Sequence, residues 1–453
     1  MAPAITARSV ALDVLVAVER DDAYANLLLP VSIRRAELDS RDAQLATELC
    51  HGTLRWHGFY DAIANEVGSR TIDTLHIVVR NAIRLGMHQI LGMRVTSHAA
   101  VNETVAQVKA AKFESAAGYV NAVLRRASER PRDEWVSILT SQAKDEVDAL
   151  SLTTSHPAWI VRALSAALDS DNRSGELVDL LEADNAPTPV GLIDLDLEHP
   201  VDAEGRSPAR YSPRGFHLLG GGSLARATEG SSGLVRVQDE GSQLAALALV
   251  NAHPIRANER WLDMCAAPGG KAAVLAAYAR EDTTVTANES NPSRISLLES
   301  SLAPWPAVSI TNRDGREIAD DGPQFTRILL DAPCSGLGAL RRRPESRWRK
   351  TPRDIAALTA LQQQLLEAAC DALVDGGLVA YVTCSPHSAE TRAIVNQVLK
   401  RRSDMVELSV SPVLDAFTRE PVTSTGDDKS IQLWPHAHHT DAMFIALLQK
   451  TTK

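Results

Sequence analysis

From Val235 onward the chain alternates short apolar runs with longer amphipathic segments, and that rhythm confines it to a sheet wound with helices. Strands are predicted at Trp261 to Cys265, Thr284 to Asn288, Ala307 to Ile310, Arg327 to Asp331, Gly377 to Thr383 and Ala442 to Leu448. Helices are predicted near Gly241 to Val250, Gly270 to Arg280, Pro292 to Leu302, Pro352 to Leu373 and Ser388 to Arg401. Such alternation implies a parallel, doubly wound sheet, which takes ligands just beyond the carboxyl ends of its strands. The most distinctive residue clusters of the chain all fall at such ends.

The preceding sequence has another texture. Residues 1–145 repeat apolar positions at three- and four-residue spacing and read as a helical bundle, with candidate N-caps at Ser40, Asp73 and Ser97. Its histidines, His51, His57, His76, His88 and His98, are read as surface or packing residues. Residues 146–235 contain a helix-like stretch from Ala158 to Leu168, then turn-rich sequence with strand-like runs at Val190 to Ile193 and Phe216 to Leu219. They suggest a small α+β connector in which Gly220-Gly221-Gly222 forms a turn. The third region is 236–453. A length of 453 residues accommodates this division.

Five scattered cysteines, with no ligand-type spacing, point to reduced thiols and away from a disulfide framework or a zinc site. No apolar run reaches the roughly 18 residues of a membrane span, and no secretory signal opens the chain, so the cytoplasm is the expected compartment. A net charge of -10 argues against a general nucleic-acid coat. RNA contact would need a local patch, and the basic run from Arg341 to Lys350 is the candidate. There Arg341, Arg342, Arg343 and Arg347 would hold phosphates, and Trp348 would stack a base.

The run Asp263-Met264-Cys265-Ala266-Ala267-Pro268-Gly269-Gly270-Lys271 joins a predicted strand to a predicted helix, where glycines let the backbone approach a ligand. A Walker A loop would need glycine at Cys265 and a Ser or Thr at Ala272, and the dinucleotide G-x-G-x-x-G fingerprint is absent. An adenosyl ligand with little phosphate remains, namely S-adenosylmethionine. Glu289, after the next strand, suits the ribose hydroxyls, and Asp314, after the third, suits the adenine amino group. Lys271 is a candidate for the cofactor carboxylate, although backbone groups are the stronger candidates in this loop.

Two further motifs carry sulfur: Asp331-Ala332-Pro333-Cys334-Ser335-Gly336 and Thr383-Cys384-Ser385-Pro386. Carbon 5 of cytosine becomes nucleophilic only after a group adds to carbon 6, and a thiolate is suited to that addition. An acid beside the thiol, Asp331, would hydrogen-bond ring N3. A second cysteine would help when the carbon 5 proton leaves and the enzyme is eliminated. An exocyclic amino methyltransferase would carry Asn/Asp-Pro-Pro-aromatic where this chain has Asp331-Ala332-Pro333-Cys334.

Together these motifs closely resemble the RNA cytosine-5 methyltransferases of the NOL1/NOP2/Sun family, as does Val237-Gln238-Asp239-Glu240-Gly241-Ser242-Gln243 ahead of the cofactor motif. The helical region looks like a NusB-type RNA-binding domain, a combination that points to the RsmB (Sun) subgroup acting on 16S ribosomal RNA. The resemblance implies an α/β fold: a Rossmann-like class I methyltransferase sheet at 236–453, an all-α NusB-like bundle at 1–145 and the connector at 146–235. It makes Cys384 the nucleophile, gives Cys334 a part in product release, and puts Asp331 against the base and the methyl donor. S-adenosylmethionine would lie on Cys265, Ala266, Ala267, Pro268, Gly269, Gly270, Lys271, Glu289, Asp314 and Asp331.

The chain departs from the family pattern at Glu289, where aspartate is usual, and at Ala272, where Thr or Ser often stands. The implied partner is RNA before full ribosome assembly, with no DNA, membrane or metal. The final cluster His436-Ala437-His438-His439-Thr440-Asp441 is read as structural. Two alternatives stay open: a transfer RNA cytosine-5 methyltransferase, and a non-catalytic RNA-binding or transcription factor.

Overall fold

A computed structural model describes residues 5–200, 205–218, 227–228, 230–424, 426 and 428–452. The chain forms two compact units, Met1–Arg162 with Leu177–Pro187 and Leu340–Arg349, and Ala163–Glu176 with Thr188–Ala339 and Lys350–Lys453.

The first unit is helical. Its opening helix, Ala7–Arg20, starts at a capping box in which Thr6 and Ser9 satisfy each other's amides, and it buries Val10, Ala11, Val14 and Leu15 on one stripe. That stripe joins Leu49, Phe59, Ile63, Ile83 and Leu124 in a single core. The expected caps are displaced. Asp39 caps Ser40–Arg55 by accepting from Asp42 N–H at 2.8 Å, and His76 caps Ile77–Met87. Asp73 lies inside a short 3-10 turn, and Thr96 holds the cap position before Ser97–Ala110. Each true cap adjoins the predicted region because the apolar period locates a helix more sharply than its ends.

Of the stretch expected as a connector, residues up to Arg162 and Leu177–Pro187 group with the first unit, while Ala163–Glu176, which includes the end of the helix Ala158–Ser170, and the residues from Thr188 onward group with the second. Strands β1 (Gly191–Asp194), β2 (Arg206–Pro208), β3 (Gly215–Leu218) and β4 (Val235–Val237) form an antiparallel sheet ordered β2-β3-β1-β4. Buried polar groups tie it to the helix Glu240–Asn251. Glu240 accepts the Tyr211 and Ser212 amides at 2.5 and 2.6 Å, and Gln243 donates to Leu192 O at 3.1 Å. The predicted Gly220-Gly221-Gly222 turn and Leu219 lie outside the described residues.

The second unit centres on strands β5 (Arg260–Asp263), β6 (Thr284–Asn288), β7 (Ser309–Thr311), β8 (Phe325–Asp331), β9 (Leu373–Thr383), β10 (Met405–Leu408), β11 (Ser430–Gln432) and β12 (Phe444–Lys450). Their order is β10-β12-β9-β8-β5-β6-β7, with β11 on β12. Strand β8 shows why the sheet is covered on both faces: Leu329 enters one core while Ile328 and Leu330 enter the other, the period-two alternation of a doubly buried strand.

Strands β5 to β9 pair in parallel as expected, but β12 runs antiparallel to both β9 and β10. Its first residue, Phe444, lies opposite Thr383 at the end of β9, so the chain enters the sheet at the carboxyl edge and must run back. No described helix is long and apolar enough to cross a membrane.

Candidate active site at the strand ends

The carboxyl ends of β5, β6, β8 and β9 bring the predicted clusters to one edge. After β5 the chain turns through Cys265 to Gly269, where Gly269 takes φ +106°, a left-handed conformation that glycine adopts without strain, and starts the helix Gly270–Tyr278. Gly269 N–H closes the turn on Ala266 O at 2.7 Å, and Ala266 N–H reaches across to Asn288 O at 2.8 Å. Asn288, not singled out from sequence, fastens three strand ends. Its amide donates to Met264 O at 3.1 Å and Arg313 O at 3.0 Å, and its Oδ1 accepts from Thr311 and from Arg313 N–H.

Lys271 does not project freely toward a ligand carboxylate. Its Nζ contacts Asp331 Oδ2 at 2.7 Å, linking the glycine turn to the end of β8. Burial works against the Lys271 charge, but Asp331, with help from Cys384 and Asp263, holds its pKa above the usual lysine value. Asp263, wholly buried at the end of β5, is pushed up to about 8, first by burial and then by the Asp331 charge, with Lys271 opposing.

Glu289 is buried, accepts the Asn291 amide at 2.8 Å and pairs with Arg294 at 3.2 Å. Asp314 is held differently. It caps the turn Gly315–Asp321 and binds Arg316, which lowers its pKa, so it sits in the exposed turn after β7 with its carboxylate already engaged.

Several groups here suit an adenosyl ligand. The first turn of Gly270–Tyr278 presents amides that have no partner within the helix. The Asp263 carboxylate oxygens and Gln238 Oε1 are buried without a hydrogen bond of ordinary geometry among the described residues. A bound S-adenosylmethionine brings amino, hydroxyl and carboxylate groups that complement such donors and acceptors.

The sulfur motifs meet. Cys334 follows β8, Cys384 follows β9, and their Sγ atoms lie 3.4 Å apart. The hydrogen bond with Cys384, then burial, then the charges of Glu390 and Asp331 raise the Cys334 pKa well above a free thiol, which keeps it protonated. Cys265, on the cofactor turn, is also raised, chiefly by burial. Beneath the cysteine pair lies a second residue missed from sequence, Glu390. It is fully buried and bonded to Ser335 and Ser385, the residues after each cysteine.

Arg347 is a correction. It belongs to the helical unit, is fully buried, and donates to Arg55 O at 3.0 Å, Ser155 O at 3.1 Å, Asp184 O at 2.9 Å and Asn185 Oδ1 at 2.8 Å. Its guanidinium is committed to carbonyl groups, so a phosphate cannot reach it. In the same segment Trp348 packs on His57 with ring centres 4.9 Å apart, and Arg343 lies over the Tyr24 ring. Arg341 is buried, and Arg342 and Arg343 are half-buried. In the late histidine cluster His436 contacts Glu176 at 2.7 Å, and His438 lies between Trp434 N–H and Thr423 O.

Known proteins share this architecture. The family described as 16S rRNA methyltransferase RsmB/F matches residues 251–449, and the NusB family matches residues 5–129. A putative methyltransferase of Mycobacterium tuberculosis (strain ATCC 25618 / H37Rv) is 42% identical over 99% of this chain and 98% of its own length. Ribosomal RNA small subunit methyltransferase B of Pseudomonas putida (strain KT2440) is 31% identical over 91% of this chain and 93% of its own. The crystal structure of PH0851 aligns with 99% of this chain and 100% of its own at a TM-score of 0.81 and 19% identity, a likeness of fold. The chain therefore belongs to the RsmB/F family, S-adenosylmethionine-dependent RNA methyltransferases, here with a NusB domain ahead of the catalytic one.

Proposed function

We infer that the protein methylates carbon 5 of a cytosine in 16S ribosomal RNA through a covalent adduct with Cys384. The observation that carries this reading is the 3.4 Å approach of Cys334 and Cys384 beside the Lys271–Asp331 pair. An enzyme that only positions a ready nucleophile has no use for two thiols in contact. One that must add to a ring and then leave it has use for both.

In this reading Cys384, as thiolate, forms a bond to carbon 6 while the carbon 5–carbon 6 π bond opens toward carbon 5. Asp331, oriented by its contact with Lys271, hydrogen-bonds the ring edge. S-adenosylmethionine, when bound, would supply the methyl cation equivalent that carbon 5 takes up. A base then takes the carbon 5 proton, the double bond re-forms, and the sulfur of Cys384 departs with Cys334 at hand to return a proton. Cys265 to Lys271, Glu289 and Asp314 would line the cofactor site, with Glu289 toward the ribose.

The target base must leave its stack to reach a half-buried thiol, so the substrate is taken to be free or partly assembled RNA in the cytoplasm. The half-buried Arg342 and Arg343 remain the better-placed of the proposed phosphate contacts, Arg341 is buried beside them, and Arg347 is withdrawn. That relatives such as the Pseudomonas putida protein are named ribosomal RNA methyltransferases supports ribosomal RNA over transfer RNA. Bisulfite mapping of total RNA from cells with and without the gene tests the reading. Loss of one 16S cytosine signal is the expected result, and loss confined to transfer RNA would overturn the substrate assignment.

A further inference from the structure

The loops carrying the two cysteines leave adjacent strands, and the last backbone ladder bond between them joins Ala332 N–H to Val382 O at 2.8 Å. Beyond it, the described backbone adds Gly338 N–H to Cys384 O at 2.9 Å. Side chains add the direct contact of Ser335 Oγ with Ser385 Oγ at 3.0 Å and, holding both hydroxyls, a buried carboxylate.

Glu390 Oε1 accepts from Ser335 N–H at 2.8 Å and from Gln362 Nε2 at 3.1 Å, while Oε2 accepts from the hydroxyls of Ser335 at 2.5 Å and Ser385 at 2.7 Å. These donors fill the roughly four lone-pair positions of an ionised carboxylate. Every one of them is neutral. Tyr381 O–H fixes the Glu390 carbonyl at 2.7 Å, and Gln362 Nε2 also reaches Pro333 O at 2.8 Å, one residue before Cys334. Burying a carboxylate against neutral donors is a costly way to stabilise a loop, and apolar packing would do that alone. What the arrangement supplies is a shared anchor for the residues that follow both cysteines.

We propose that Glu390 is a positioning residue whose carboxylate bridges the two cysteine loops and sets the separation of their sulfurs. The inference rests on the cytosine-5 reading, since only a reaction using both thiols depends on their spacing.

The test uses the full-length protein, an unmodified 16S rRNA transcript and tritiated S-adenosylmethionine. Glu390→Gln preserves the bridge, because its amide donates to serine hydroxyls that turn to accept. Glu390→Ala removes it. Expected for Glu390→Ala is a kcat about 100-fold lower, with KM for RNA and the Kd for S-adenosylhomocysteine within about twofold of native, whereas Glu390→Gln stays within about fivefold. Native kcat in Glu390→Ala, equal losses in both variants, or losses that track S-adenosylhomocysteine binding would overturn the proposal.

Should Glu390→Ala fail to fold, Ser385→Ala removes one donor and leaves the Oε1 bonds intact. It is expected to lower kcat about tenfold at unchanged KM, and a native kcat there counts against the bridge. Cys334→Ala runs alongside. If it traps no RNA adduct the cytosine-5 reading fails, whereas an adduct together with an unimpaired Glu390→Ala enzyme defeats the Glu390 proposal alone.

Discussion

Replacing Asp263 by Asn should remove a pH dependence built into the methyltransferase unit. In the fold the Asp263 carboxyl titrates at about 8, raised by burial and by Asp331. In an unfolded chain an aspartate titrates near ~3.9. Between those values the folded protein holds a proton that the unfolded chain has released, so stability falls as pH rises. The contribution is complete below the unfolded pKa and lost as pH passes the folded one.

Each pH unit in this window is worth about 1.4 kcal/mol, so about 4 kcal/mol should disappear between pH 5 and pH 8. Asparagine has the same shape and no titration, and the variant should therefore gain about that much relative to the native chain across the interval. Urea unfolding at both pH values, followed through hydrogen exchange of the segment Arg260–Asp263, reads this unit by itself. If the two proteins keep a constant stability difference from pH 5 to pH 8, Asp263 is ionised in the fold and the reasoning about its burial is wrong.

Other variants address separate links. Cys384→Ala should abolish methylation, while Cys334→Ala should form an RNA adduct that survives denaturing electrophoresis; methylation by Cys384→Ala would reassign the nucleophile. Arg347→Met strips donors from buried carbonyl groups and should cost the helical unit about 3–5 kcal/mol in thermal or urea unfolding. It should leave the salt dependence of RNA binding unchanged, and a shallower salt slope at native stability would restore a phosphate role. Arg327 pairs with Glu259 at 2.7 Å in the interior and donates to Leu249 O and Val250 O. Arg327→Met should destabilise the second unit by about 3–5 kcal/mol, with activity per folded molecule retained in a kinetic assay.

Much of the fold was legible because its signals are local. The run Arg327 to Asp331 is buried on both faces, and the apolar Ile328-Leu329-Leu330 within it marks it as an inner strand. The direction of β12 was not legible, since Phe444 to Lys450 reads the same whichever edge the chain enters from. The grouping of residues 146–235 with either unit was not legible for a related reason: turn-rich sequence shows where elements end and carries no sign of which core they join. Among site residues, Cys334 and Cys384 announced themselves through their motifs. Glu390 sits in Ser388-Ala389-Glu390, an ordinary helix-start sequence, and its partners Ser335 and Gln362 are distant along the chain.

From sequence alone followed the alternating elements, the glycine turn of the cofactor site and the two sulfur motifs, because each depends on the chemistry of neighbours in the chain. Only the folded chain decided that Lys271 would face Asp331, that burial would push the Asp263 carboxyl up, and that Arg347 would be buried in a bundle rather than offered to RNA. Charge and spacing are properties of a segment. Desolvation and partner choice belong to the surroundings, which exist only once distant segments have packed.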